Sequence, residues 1–88
     1  MKAIKQKLNK ITSAQVRAAR ALLRWSAVDL AERSKLGVAT IRRAEAADDE
    51  MSITEANVET IKRTLEAAGV EFINEGAPGV RMKVKRRK

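Results

Sequence analysis

The sequence predicts a mainly α domain of four to five helices that ends in a short C-terminal β-hairpin. Three helix-capping patterns and apolar residues at helical spacing run through residues 12–68, and the apolar period changes after Gly69. With 88 residues the chain has room for one small domain and not for a second core. We divide it into a basic arm over 1–11, a helical domain over 12–69, and a hairpin with a basic tail over 70–88.

The first helix is predicted over Ser13 to Leu23. Thr12 is a suitable N-cap residue, and Gln15 three residues later completes a capping box. Apolar residues recur at helical spacing in this segment, namely Val16, Ala19, Leu22 and Leu23.

A second, short helix is predicted to follow Ser26 and to end near Lys35. Ser26 and Asp29 form the second capping box. Gly37 then breaks or caps the helix.

The third helix is predicted over Val38 to Ala46. Its helical period places Ile41 and Ala44 on the inner side and Arg42 and Arg43 on the outer side.

The fourth helix is predicted over Ile53 to Ala68, with Ser52 and Glu55 as a third capping box and Gly69 as its C-cap. Its apolar stripe consists of Val58, Ile61, Leu65 and Ala68.

Two strands are predicted after Gly69, over Val70–Ile73 and Val80–Val84. Both are rich in β-branched residues, and the second alternates strictly. Turn residues separate them, namely Gly76, Pro78 and Gly79.

Charge is divided into three blocks. Residues 1–47 carry 11 basic and three acidic side chains, residues 48–79 carry two and eight, and residues 80–88 carry six and none. The net charge of +8 is therefore arranged as two basic regions around an acidic one. This pattern predicts an anionic partner, with nucleic acid as the leading candidate.

Composition excludes several kinds of site. The chain has no Cys and no His, which removes disulfides, Cys/His zinc sites and nucleophile–histidine pairs. Asp48-Asp49-Glu50 lacks the spacing of a calcium loop. We expect no metal, no cofactor, no enzymatic activity and no membrane segment.

The second and third helices indicate a function together. A three- or four-residue turn between them is expected to hold the third helix at a steep angle to the second. The outer side of the third helix is then exposed to solvent. An exposed helix with arginines fits the major groove of DNA.

The segment from about Thr12 to Ala68 resembles the phage repressor/Cro-type helix-turn-helix, the XRE family of regulators. The matched residues are the Leu30-Ala31 pair, Ser34, Leu36, Thr40-Ile41 and Glu45, preceded by a similar first helix over Val16–Ser26. The resemblance implies a sequence-specific regulator, most simply a repressor, that binds double-stranded DNA as a homodimer in the cytoplasm or nucleoid.

The chain departs from the family pattern at three places. Lys35 occupies the usual glycine position of the turn, and Gly37 lies two residues later. Ala27 replaces a common phosphate-binding Gln, and the acidic loop 48–50 would repel phosphate. Affinity is therefore expected from the arm, the first helix or the tail.

The resemblance also implies site residues. Base readout falls on Val38, Ala39, Arg42 and Arg43, where arginine can bind guanine and the small apolar residues can touch a thymine methyl. The predicted phosphate contacts are Arg17, Arg24, Ser26, Lys35 and Thr40. Arg20 and Glu45 match a pair that joins helices 1 and 3, and Trp25 is interpreted as a packing residue.

Alternatives remain open at this point. The chain could be a protein-binding module such as an antitoxin that holds a toxin and also binds its operator, or a nucleic-acid-binding protein without sequence preference. Arg42 and Arg43 could bind phosphate only, and the tail from Lys83 could be a phosphate clamp or a disordered end. Dimer contacts are expected on the strand Val80–Val84 or beside Val58 and Ile61.

Overall fold

Four helices and one antiparallel hairpin make up the fold. The computed structural model describes residues 10–46 and 53–83. The elements are α1 (Ser13–Leu23), α2 (Ala27–Ser34), α3 (Val38–Ala46), α4 (Glu55–Ala67), β1 (Val70–Ile73) and β2 (Gly79–Met82). The predicted mainly helical fold with a C-terminal hairpin is confirmed, and the described ranges contain four helices and not five.

Capping boxes begin α1 and α2, as predicted. The Thr12 hydroxyl accepts from the Gln15 N–H at 3.1 Å, while the Gln15 side chain accepts from the Thr12 N–H at 2.8 Å. Ser26 and Asp29 exchange the equivalent bonds at 3.0 and 2.8 Å. Each box satisfies two backbone donors that a helix start leaves free.

The predicted start of the fourth helix is wrong by two residues. Thr54, and not Ser52, is the N-cap, and its side chain accepts from the Asn57 N–H at 3.1 Å. Two hydroxyl residues stand close together before this helix, and the one adjacent to Glu55 is used; Ser52 itself lies outside the described ranges. At the other end Ala68 is the C-cap, and Gly69 follows it with a positive φ of 108°.

The second strand of the hairpin also differs from the prediction. β2 begins at Gly79, one residue earlier than expected, because Gly79 pairs with Ile73 at the end of β1. The register continues to Met82 opposite Val70. Gly79 is thus a strand residue and not a turn residue, and Val84 lies outside the described part of the chain.

All four helices and β1 contribute to the core. The largest fully buried side chains are Leu30, Ile41, Ile61, Leu65, Val16 and Val70. Burying each contributes about 1.5–3 kcal/mol. Ile11, which the sequence analysis assigned to the basic arm, is also buried. Ile61 is buried and Val58 packs against the core, so these two side chains themselves face inward, and a dimer surface on their neighbours stays a prediction.

The hairpin is attached to the start of α1 by one buried side chain. Gln15 is 3% exposed, and its Nε2 lies 3.2 Å from the Ile73 carbonyl and 3.0 Å from the Gly79 carbonyl. It also lies 3.2 Å from Oδ1 of Asn74. The amide therefore binds both strands at the turn end of the hairpin.

Among the helices that the structure describes, none is both long and apolar enough to cross a membrane.

Candidate nucleic-acid interface

The connection between α2 and α3 is short and has a defined backbone. Lys35 is the C-cap of α2 in the left-handed region, with φ 65° and ψ 28°, and the Leu36 N–H donates to the Ala31 carbonyl at 3.1 Å. The Gly37 carbonyl accepts from the N–H groups of Thr40 and Ile41 at 3.0 and 3.2 Å. Lys35 thus takes the conformation that glycine adopts more easily, and Gly37 immediately precedes α3 and accepts its first hydrogen bonds.

The two sides of α3 differ as predicted. Ile41 and Ala44 are fully buried against the core. Ala39, Arg42 and Arg43 are exposed on the other side. The outer side of α3 therefore exposes two arginine side chains and the methyl group of Ala39 to solvent.

The two remaining candidates at the start of α3 are half-buried. Val38 packs partly against the core, and Thr40 is partly covered. Of the four predicted base-readout residues, Val38 is the one with a packing role.

Two side chains of α1 bind the C-terminal end of α3. The Ser13 hydroxyl donates to the Ala44 carbonyl, and Nη1 of Arg17 donates to the Glu45 carbonyl. These carbonyls belong to the last turn of α3, whose acceptors have no partner within the helix. The sequence analysis missed Ser13, although its spacing to Arg17 and Arg20 (four and seven residues) places all three on one side of α1.

Arg20 and Glu45 are in contact across α1 and α3. Nε of Arg20 lies 2.7 Å from Oε2 of Glu45, and Nη2 lies 2.8 Å from Oε1. Nη1 of the same guanidinium donates to the Trp25 carbonyl at 2.9 Å. The hydrogen bond to Glu45 raises the pKa of Arg20, which keeps its charge at every accessible pH.

Three of the predicted phosphate contacts lie in α1 or between α1 and α2. Arg17 is exposed but already binds the Glu45 carbonyl. Arg24 is exposed and is the left-handed C-cap of α1, with φ 61°. The Ser26 hydroxyl is the N-cap of α2, so it leaves only part of its hydrogen-bonding capacity for a ligand.

The other two predicted phosphate contacts lie near the connection of α2 and α3, where Lys35 is exposed and Thr40 is half-buried.

Trp25 is a packing residue. It is half-buried and packs against the core, and the guanidinium carbon of Arg33 lies 4.5 Å from its ring centroid. This distance is typical of a cation–π contact. Since Arg33 covers one face of the ring, that face is not open to a base.

Exposed charge is unequally distributed over the described helices. The outer surfaces of α1 to α3 carry the exposed basic residues Arg17, Arg24, Arg33, Lys35, Arg42 and Arg43. α4 exposes Glu55, Glu59 and Glu66 together with the basic Arg63, and the exposed acidic residue on α2 is Glu32. No group of three or more potential metal-ligating residues occurs within 10–46 and 53–83.

Comparison with protein-family models gives no match, and a search of the curated proteins finds no similar sequence.

Proposed function

We propose that this protein is a sequence-specific DNA-binding regulator of transcription, acting as a repressor. In this proposal α2 and α3 form a helix-turn-helix of the repressor/Cro type, and α3 enters the major groove. The observation that carries the proposal is the outward surface of α3, which exposes Arg42 and Arg43 while its C-terminal end is held by α1.

The major groove, about 12 Å wide, admits one α-helix. Specific readout requires the helix to sit in one orientation, because each base contact depends on atoms placed within hydrogen-bond distance. Three residues of α1 fix the end of α3, as described above. The exposed Arg24 is the C-cap of α1 and the exposed Lys35 is the C-cap of α2, and both are suited to phosphate contacts.

The proposal includes a dimer on DNA. One helix-turn-helix reads only a few base pairs, so two copies on half-sites about one helical turn apart supply the specificity of an operator. The terminal basic segments 1–10 and 83–88 add electrostatic affinity without sequence preference.

Selection of bound sites from random duplex DNA tests the proposal. Wild-type protein should enrich one palindromic motif, and the enriched duplex should outcompete scrambled DNA. The variant Arg42→Ala/Arg43→Ala should enrich none. Arg63→Ala is the matched control, because Arg63 is an exposed arginine on α4 whose one ion-pair partner among the described residues is its helix neighbour Glu59. Recovery of random sequence by wild-type protein would refute specific binding.

A protein-binding module such as an antitoxin is the second candidate. Leu22 and Val28, on either side of the junction of α1 and α2, are 45% and 46% exposed, which is unusual for large apolar side chains. This candidate predicts tight co-purification with the product of an adjacent small gene, and Leu22→Asp/Val28→Asp should abolish it while DNA binding persists.

A further inference from the structure

The outward surface of α3 offers few kinds of chemistry. The helix contains no Asn, Gln or Asp between Val38 and Ala46. Its only carboxylate, Glu45, has both oxygens bound by Arg20. Side-chain amides are the usual readers of adenine, and carboxylates of the cytosine amino group. This helix therefore lacks free groups of both kinds.

The first turn of α3 presents small apolar groups and an open backbone. Ala39 is exposed, and Val38 is half-buried beside it. A Cβ placed at Gly37 would meet no atom within 4 Å, so no other part of the described protein covers the backbone just before α3. Methyl groups at this position are suited to contact with an apolar group on a base edge.

One turn further on, Arg42 and Arg43 supply the polar chemistry. Both are exposed, and neither has an intramolecular hydrogen bond or ion pair in the structure described for residues 10–46 and 53–83. A guanidinium can donate two parallel hydrogen bonds to guanine O6 and N7, which is the commonest specific contact to a base.

We infer that α3 recognises a C5-methylated pyrimidine close to guanine. The inference deepens the proposed function and depends on it. Ala39 and Val38 contact the C5-methyl group, and Arg42 or Arg43 binds guanine O6 and N7. Thymine and 5-methylcytosine carry the same methyl group on the major-groove edge, so both belong to this ligand class. Adenine contributes to binding only as the pairing partner of thymine.

The test uses base analogues in the duplex that wild-type protein enriches. Deoxyuridine in place of one critical thymidine removes only the methyl group and should weaken binding about three- to fivefold. 7-Deazaguanine removes the N7 acceptor and should weaken binding about tenfold at one or two guanines. 7-Deazaadenine at every adenine should have no effect. A duplex with 5-methylcytosine at the critical pyrimidine should be bound more tightly than one with cytosine. The ratio of the two affinities should equal the ratio for thymine over uracil.

Two variants assign these effects to residues. In Ala39→Ser the loss caused by uracil should shrink, because the apolar contact has gone. In Arg42→Lys or Arg43→Lys the positive charge stays while the two-pronged contact is lost, so one of them should become insensitive to 7-deazaguanine. Arg63→Lys on α4 should respond to every analogue as wild-type protein does.

The outcomes separate the inference from the proposed function. If selection enriches no sequence, the proposed function fails before any analogue is used. If a motif is enriched and bound tightly but uracil and 7-deazaguanine cause no loss, the regulator stands and the inference is overturned. Sensitivity to 7-deazaadenine would also overturn it, because it would show a direct adenine contact.

Discussion

Arg20 of α1 binds both carboxylate oxygens of Glu45 at the end of α3, at 2.7 and 2.8 Å. The two side chains are 24% and 10% exposed, so solvent screens the pair only in part. Because the same guanidinium binds the Trp25 carbonyl, one side chain connects α1, the start of α2 and the end of α3. The contact predicted from the sequence is present, and its role in DNA binding remains a prediction.

Breaking this pair should weaken DNA binding more than it weakens the fold. A double-mutant cycle with Arg20→Ala and Glu45→Ala should give a coupling free energy of unfolding of about 1–2 kcal/mol, typical of charged hydrogen bonds. Either variant should bind the selected operator at least about tenfold more weakly, because α3 loses its fixed orientation. The exposed pair Arg63–Glu59 is the control, with an expected coupling below about 0.5 kcal/mol. Equal coupling in both cycles would contradict the prediction.

Sequence preference and overall affinity should be separable. Arg42→Ala or Arg43→Ala should cost about 1–3 kcal/mol of binding free energy on the operator and relax preference at one or two positions. Deleting residues 83–88 should weaken binding to all duplexes equally and flatten its salt dependence. Titrations on operator and scrambled duplexes at several salt concentrations measure both effects. Loss of preference on deletion of the tail alone would show that the reading surface lies elsewhere.

Lys35→Gly should stabilise the protein. The left-handed backbone of Lys35 costs a side-chain-bearing residue about 1–2 kcal/mol, whereas glycine adopts it freely. Since glycine also loses more entropy on folding, the net gain should be about 0.5–1 kcal/mol, a rise of a few degrees in Tm. Glu32→Gly, on the exposed side of α2, should instead cost about 1 kcal/mol. If Lys35 binds phosphate, Lys35→Gly will also weaken DNA binding although the fold is more stable.

Acid should remove part of the stability of α2. The backbone N–H of Ser26 donates to the Asp29 carboxylate and lowers the pKa of Asp29 below its usual value. A lowered pKa in the folded state stabilises the protein above the unfolded pKa, and this contribution disappears as the pH falls through the folded pKa. Asp29→Asn should therefore have a lower Tm than wild type above about pH 5, and the difference should vanish in acid. A difference that is constant down to the acid limit would contradict this assignment.

Dimer formation should use the outer edge of β2. The Lys83 N–H donates to the Gly69 carbonyl at 2.8 Å, and with the observed register this directs the N–H groups of Val80 and Met82 away from β1. Met82→Pro removes an outward donor at an exposed residue, whereas Val80 also packs against the core, so Met82→Pro should weaken dimers in sedimentation while the fold persists. Arg81→Pro removes a bond of the hairpin itself and should destabilise the fold. A wild-type monomer both free and on its operator would exclude the dimer.

Local patterns were sufficient to predict most of the architecture. The boundaries of α1 and α3, the two capping boxes at Thr12 and Ser26, and the inward position of Ile41 all follow from interactions within a few residues. The start of α4 was harder to predict because Ser52 and Thr54 are both good N-cap residues. The start of β2 at Gly79 depends on register with β1, which the strand's own sequence does not determine.

The candidate site was predictable in outline only. The helical period of Ile41 and Ala44 predicted correctly that Arg42 and Arg43 lie on the exposed side of α3. The contacts that hold α3, from Ser13 and Arg17 to its last carbonyls, connect residues 31 and 28 positions apart in the chain. Such long-range contacts leave no local pattern, and the only indication was the common spacing of Ser13, Arg17 and Arg20.

The buried amide of Gln15 has a consequence for the order in which the chain can fold during synthesis. Its partners are 58 to 64 residues further along, at Ile73 and Gly79. In a nascent chain that has emerged only as far as α4, the Gln15 amide therefore has neither of these two acceptors. This amide lies in the first turn of α1, the helix that positions α3. The contacts of this amide are thus complete only after Ile73 and Gly79 have been synthesised. Under the proposed function, a ribosome-bound chain should bind operator DNA only after the hairpin has left the exit tunnel.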